Sequence, residues 1–268
     1  MAGLTGKSIA SAYKSILRVD DDANGIDTSL ESITDGEGTK SSLKISDDAV
    51  RIVPQNDNTT TTFQVGTTGG TGLLSVDTTN SAVKAGVGQF NVLTQYAYFG
   101  AIGANTSSNV AGTHYPLYFG KNGGGTTPVG DQLNHFGTGT DPATSFTTAA
   151  ATDQVASVLV PYMMYVPDNI SVDAVYSIEG ADTATGDTTR FHLMSYTFNS
   201  GSTSCLADGT LLAHSDDTTN AGSEQVYKST WNIDNASVAG GKVLICTFEA
   251  DGNNSDYAYQ AIIKYHLV

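Results

Sequence analysis

Residues 255–268 read SDYAYQAIIKYHLV. Tyr257, Tyr259, Ala261, Ile263, Tyr265 and Leu267 stand two apart, with Ala258, Gln260, Lys264 and His266 between them. A period of two puts the first set on one face of a β-strand. Tyr227, Trp231 and Ile233 keep the same spacing earlier in the chain. Further strand candidates lie at 155–166, 171–179, 189–198, 210–214, 224–233 and 242–249. Turn signals separate them: Pro167-Asp168-Asn169, Thr185-Gly186-Asp187, Asp208-Gly209, Ala239-Gly240-Gly241 and Asp251-Gly252-Asn253. Short strands, polar turns and no helical period predict a β-sandwich of jelly-roll type over 153–268.

Composition agrees with an all-β chain. Charged residues are 15% of 268, and glycine supplies 29 positions. A coiled coil or helical bundle needs far more Glu, Lys, Leu and Arg. The net charge is −15, from 12 basic and 27 acidic residues. That balance opposes nucleic acid and anionic membrane surfaces as partners. The most apolar run, VASVLVPYMMYV at 155–166, is too short for a bilayer, which takes about 20 residues. The opening MAGLTGKSIASAYKSIL holds no apolar core of a signal peptide. Synthesis in a cytoplasm without conventional export is therefore expected.

Residues 1–19 form a distinct arm with Lys7, Lys14 and Arg18 and no acid. Ile9, Ala12, Tyr13, Ile16 and Leu17 fall on one helical face. A helix this short needs a docking surface. Ile9, Tyr13, Lys14, Ile16 and Leu17 are the expected anchor contacts, on this chain or on an acidic partner. Residues 20–95 read as a β stem. SLKISDDAVRIV (42–53) and LLSVDTTNSAVKAGV (73–87) each spell two strands around a polar turn. So few large apolar side chains cannot offset ordering costs of about 1–2 kcal/mol per residue in one copy. A core shared among copies about a threefold axis solves this. Residues 96–152 read as a loop-rich connector.

Motifs for chemistry are sparse. DDDANGIDTSLE (20–31) places Asp20, Asp22, Asn24, Gly25 and Glu31 at the spacing of an EF-hand calcium loop. Asp27 stands where that loop carries an apolar residue, and no second helix follows, so a polar turn is the reading taken. The histidines at 114, 135, 192, 214 and 266 show no metal-ligand spacing. His192 and His266 fall in strands as structural or surface residues. GKNGGGTT (120–127) lacks the ending of a phosphate loop. Cys205 and Cys246 fit neither a zinc site nor a disulfide scaffold, and Cys246 reads as a buried thiol. No catalytic residue, cofactor or metal is assigned. Thirteen tyrosines offer stacking surface for sugars and serve equally as strand fillers.

SIASAYKSILRVDDDANGIDTSLESITDGEGTKSSLKISDDAVRI (8–52) resembles the N-terminal segment of fibre and appendage proteins of tailed bacteriophages, notably marine ones. FQVGTTGGTGLLSVDTTNSAVKAGV (63–87) is similar to the repeating β segments of trimeric phage fibre shafts, with DTTN followed by Val-Lys as its most telling phrase. The part from VPDNISVDAVYSI (166–178) to NSDYAYQAIIKYHLV (254–268) looks like the β-sandwich tip of small structural proteins in such phages. The resemblance implies a non-enzymatic virion protein: a short homotrimeric appendage on tail or capsid. Its expected partners are its own copies, other virion proteins and host-surface glycans. Two readings from other classes stand beside it, a free-standing carbohydrate-binding or adhesin module and a tailspike-type glycan depolymerase.

Overall fold

The computed structural model describes residues 16–21, 23–87, 90–105, 110–120, 135–148, 156–181, 186–222, 224–250 and 256–268. It is mostly β, and the chain divides into two compact units, Met1–Leu93 and Thr94–Val268.

The N-terminal unit holds two antiparallel four-stranded sheets, each in plain sequence order. The first joins β1 (Arg18–Val19), β2 (Glu31–Thr34), β3 (Lys40–Ile45) and β4 (Val50–Ile52). The second joins β5 (Phe63–Gly66), β6 (Gly72–Asp77), β7 (Ala82–Ala85) and β8 (Phe90–Asn91). The two hairpins expected from 42–53 and 73–87 are present, closing at Ile45↔Val50 and at Asp77↔Ala82. Aspartates build the turns. Asp35 accepts the Glu37 and Thr39 N–H groups at 2.9 and 2.8 Å, while Gly38 takes φ +86°. Asp77 accepts the Asn80 N–H at 2.9 Å, the Asn80 amide at 2.8 Å and the Lys84 ammonium at 2.7 Å. Those donors hold its carboxyl well down, to about 2. The phrase DTTN-Ser-Ala-Val-Lys is thus a hairpin whose first residue gathers donors from Asn80 and Lys84.

The C-terminal unit begins at Thr94. Its elements are β9 (Thr94–Asn105), β10 (Tyr115–Pro116), β11 (Tyr118–Phe119), a helical turn α1 (Ala156–Leu159) running into a 3-10 turn (Val160–Tyr162), β12 (Met164–Val166), β13 (Ile170–Ala181), β14 (Thr188–Phe198), β15 (Leu206–His214), β16 (Thr218–Thr219), β17 (Gln225–Thr230), β18 (Asn232–Ile233), β19 (Ser237–Val238), β20 (Lys242–Ala250) and β21 (Asp256–Leu267). One antiparallel sheet runs β11-β9-β21-β13-β17, with β19 also on β13. The other runs β10-β20-β14-β15-β18, with β12 also on β20 and β16 on β14. They pack face to face over one core. Phe99, Val175, Tyr259, Ala261 and Ile263 enter it from the first sheet; Phe191, Leu193, Leu244, Cys246 and Phe248 enter from the second. Tyr259 meets Phe248 and Phe191 at ring distances of 4.7 and 5.2 Å. Each large aliphatic or aromatic side chain so buried contributes about 1.5–3 kcal/mol.

The second sheet is buried on its other face as well. Met194, Tyr196, Leu206, Val243 and Ile245 form a second cluster with Phe136, Phe146 and Leu159. A strand buried on both faces loses alternation, and every residue of FHLMSY (191–196) and VLICTF (243–248) is buried. The covering segment 135–148 is fastened by Tyr196 Oη donating to the Ala143 carbonyl at 2.9 Å and by Gly209 N–H donating to the Thr144 carbonyl at 2.8 Å. Gly209 is required there: a Cβ would stand 2.7 Å from Thr144 Cα.

Three sequence expectations change. The connector read at 96–152 contributes β9, β10 and β11 to the sandwich sheets. Ala97, Phe99 and Ala101 are the inward set of β9, and alanines gave the strand too weak an apolar signal to be read. The strand expected over 155–166 is extended only at Met164–Val166, since Pro161 sits in a 3-10 turn behind α1. Trp231 lies between β17 and β18, where the chain crosses from one sheet to the other. It stacks on Phe191 at 5.6 Å and donates Nε1–H to Ser177 at 3.0 Å, whereas Ile233 is exposed.

Candidate functional site

β14 turns Phe191 and Leu193 into the core, so His192 between them faces the covered outer side of the second sheet. The ladder then gathers polar groups around it. His192 pairs in register with His214 of β15 and Thr247 of β20, and Arg190 pairs with Glu249. His114 comes down from the segment before β10 and meets the His192 ring edge to face at 4.8 Å. It donates Nε2–H to the Gly139 carbonyl at 2.8 Å, with Glu249 at 3.5 Å. Segment 135–148 also brings Asp141 to 3.9 Å from His192 Nε2. Arg190 pairs with Asp217 and His214 with Asp234, each at 2.8 Å.

This environment sets charge. Burial foremost, then the neighbouring His114, Arg190 and His214, pushes His192 down to about 3. A backbone hydrogen bond to Thr140 only partly opposes this. His192 is therefore a neutral imidazole at pH 7, and its Nδ1 has no hydrogen-bond partner among the described residues. Burial raises the Glu249 carboxyl, while His114 and Arg190 pull it back. Beside these groups opens a cleft of about 360 Å³ lined by Thr140, Asp141, Arg190, His192, Leu211, His214, Ser215, Asp216 and Asp234. Among the described residues no three His, Cys, Asp or Glu side chains form a metal-binding group. The cleft mixes donors with carboxylate acceptors around that neutral ring, a set suited to binding through hydrogen bonds.

A second depression, about 370 Å³ and apolar, lies on the first sheet between Ile178, Gly180, Val226, Ala258 and Gln260. Lys228 sits over the Tyr176 ring at 5.4 Å on the same sheet.

No protein-family model matches the chain. No curated protein matches it either.

Of the expected anchor contacts, Ile9, Tyr13 and Lys14 lie outside the described residues. Ile16 and Leu17 precede β1 and are exposed by 39% and 73%. The 20–31 segment joins β1 to β2. Asp20 is taken by Lys40 at 2.9 Å, and Asn24 turns its amide to Asp21 at 3.2 Å. Asp22 lies outside the described residues. So does most of 120–127. Cys205 and Cys246 are free thiols, and burial raises the pKa of both. His192 and His266 do lie in strands, His266 donating to Asp173 at 2.8 Å. The meeting of His114, His192, His214 and Glu249 had no local signal, because four separate segments supply them.

Proposed function

We propose that the chain is a structural subunit of a tailed-phage virion, assembled as a short homotrimeric appendage on tail or capsid. In this reading residues 1–19 dock on another virion protein. The N-terminal unit forms a stem shared by three copies. The C-terminal unit is a jelly-roll knob that contacts host-surface glycans.

The observation that carries the assembly is the apolar inventory of the N-terminal unit. Ala82 is its one buried hydrophobic side chain among the described residues. Val50, Val65, Leu73 and Val87 are exposed by 71%, 47%, 42% and 77%. A unit with so little core is completed by neighbours, and closed symmetry is the usual form of that completion. The strand order of the C-terminal unit supports the jelly-roll assignment. Counting β9, β12, β13, β14, β15, β17, β20 and β21 as first to eighth, the sheets run first-eighth-third-sixth and second-seventh-fourth-fifth. Jelly rolls serve viral capsids and also lectins, so fold alone does not choose between them. The polar cleft favours one further reading, a free-standing glycan-binding module.

Light scattering of the full chain and of a chain starting at Thr94 tests the proposal. The expected result is three times 27.9 kDa for the full chain and a monomer for the shortened one. A full-length monomer overturns the appendage and advances the binding module.

A further inference from the structure

We propose that the cleft on the second sheet binds a small neutral polyhydroxy ligand, a single saccharide residue being the type. This deepens the appendage reading by giving its knob a ligand-binding surface, and rests on that reading only for where the sugar comes from. The cleft volume of about 360 Å³ lies in the range of roughly 300–1,000 Å³ usual for small-molecule sites. His192 lines it, is only 1% exposed, and keeps an Nδ1 that nothing in the described chain satisfies. That nitrogen has no open surface of its own, so the groups a ligand meets are those with surface in the cleft: Asp141, 58% exposed, His214 at 34%, and Arg190 and Asp234 at 29% each. Ser215 is fully buried beside it. Its Oγ accepts the Phe191 N–H at 2.9 Å and so fixes the cleft wall to β14.

The rim selects the chemical class. Asp141, Asp216 and Asp234 line the opening; Asp234 already holds His214 and Asp216 accepts the Asn232 amide at 3.3 Å, which leaves each of those two a second carboxylate oxygen for a hydroxyl. An anion would meet these three charges, and Arg190 is already engaged by Asp217 at 2.8 Å. A divalent cation would need a converging set of ligands, which the described residues do not form. A polyol meets both needs, since every hydroxyl donates as well as accepts. None of the described residues that line this cleft is a tyrosine, although the thirteen tyrosines suggested sugar contact in the sequence.

The test is ligand-observed NMR on the full chain. Glucose, galactose, mannose and N-acetylglucosamine are titrated singly, with putrescine and calcium chloride as charged probes. The expected result is binding of at least one monosaccharide. Asp141→Asn and Asp216→Asn, both at exposed positions that leave folding intact, should each weaken it by roughly tenfold, the cost of a hydrogen bond to a charged group. Lys228→Ala on the opposite sheet should change nothing. The proposal is overturned if no monosaccharide binds, if both aspartate variants bind as tightly as the parent, or if only putrescine or calcium binds. The appendage reading fails separately. A trimer without sugar binding removes the cleft proposal alone, and a monomer whose sugar binding depends on Asp141 removes the trimer alone.

Discussion

The two units of this chain are both antiparallel β, yet they are held by different forces. In the C-terminal unit, aromatic and aliphatic side chains from two sheets close on one another, with Tyr259 in contact with both Phe191 and Phe248. In the N-terminal unit the buried side chains are Ser32, Thr34, Ser75, Asp77 and little Ala82, among the described residues. Its order comes from turns, in which aspartates collect backbone N–H groups, and from the ladder itself. Hydrogen bonds contribute about 0.5–1.5 kcal/mol each in net terms, well short of what a buried aromatic side chain supplies. The same β geometry carries an apolar core in one unit and little apolar burial in the other, among the described residues.

The comparison breaks most sharply at Phe248. Its ring is fully buried and touches Tyr115 and Tyr259. Phe248→Ala should cost about 3–5 kcal/mol. Urea unfolding followed by fluorescence of Trp231, the only tryptophan, reads the C-terminal unit directly. A loss under 1 kcal/mol would mean that the sandwich core does not govern that unit's stability.

Acid should separate the units next. His192 stays neutral in the fold down to about pH 3, whereas the unfolded chain protonates it near 6.5. Between those values the unfolded state binds more protons, so stability falls as pH drops, by at most about 1.4 kcal/mol per pH unit. Glu179 and Glu249 act oppositely. Burial raises both, so their protonation in the fold restores part of the loss. In the N-terminal unit, Asp77 is held down to about 2. Its contribution is complete above about pH 4 and disappears as pH falls through 2. The C-terminal unit should thus weaken first on acidification, and His192→Gln should flatten its slope below pH 6.5. An unchanged slope in that variant would show that His192 does not carry the effect.

What could be read in advance follows from the range of the physics. The hairpins at 42–53 and 73–87 were legible because Asp, Thr and Asn turn chemistry acts over a few residues. β21 was legible because its sheet is covered on one side, leaving Tyr259, Ala261 and Ile263 in a clean alternation. β14 and β20 were legible as strands at 189–198 and 242–249, though nothing local said what covers their second face; segment 135–148 does. β9 escaped because its inward residues are mostly alanine. The cleft was invisible for a stricter reason. His192 and His214 become neighbours through strand register, and His114 and Asp141 arrive from segments that only the folded sandwich brings near.

The smallest effect on a single chain bears most directly on assembly. Val50 is 71% exposed on β4. In an isolated unit, Val50→Thr should move stability by no more than about 0.5 kcal/mol, as surface changes away from special contacts do. If three copies share the stem, the same change puts a hydroxyl into an apolar interface at three symmetry-related places. The melting temperature should then depend on protein concentration and fall in the variant, most at low concentration. Thermal melts over a hundredfold dilution series separate the cases. A midpoint that ignores both dilution and the substitution would mean that Val50 faces water in the working protein, and the shared stem would be refuted at β4.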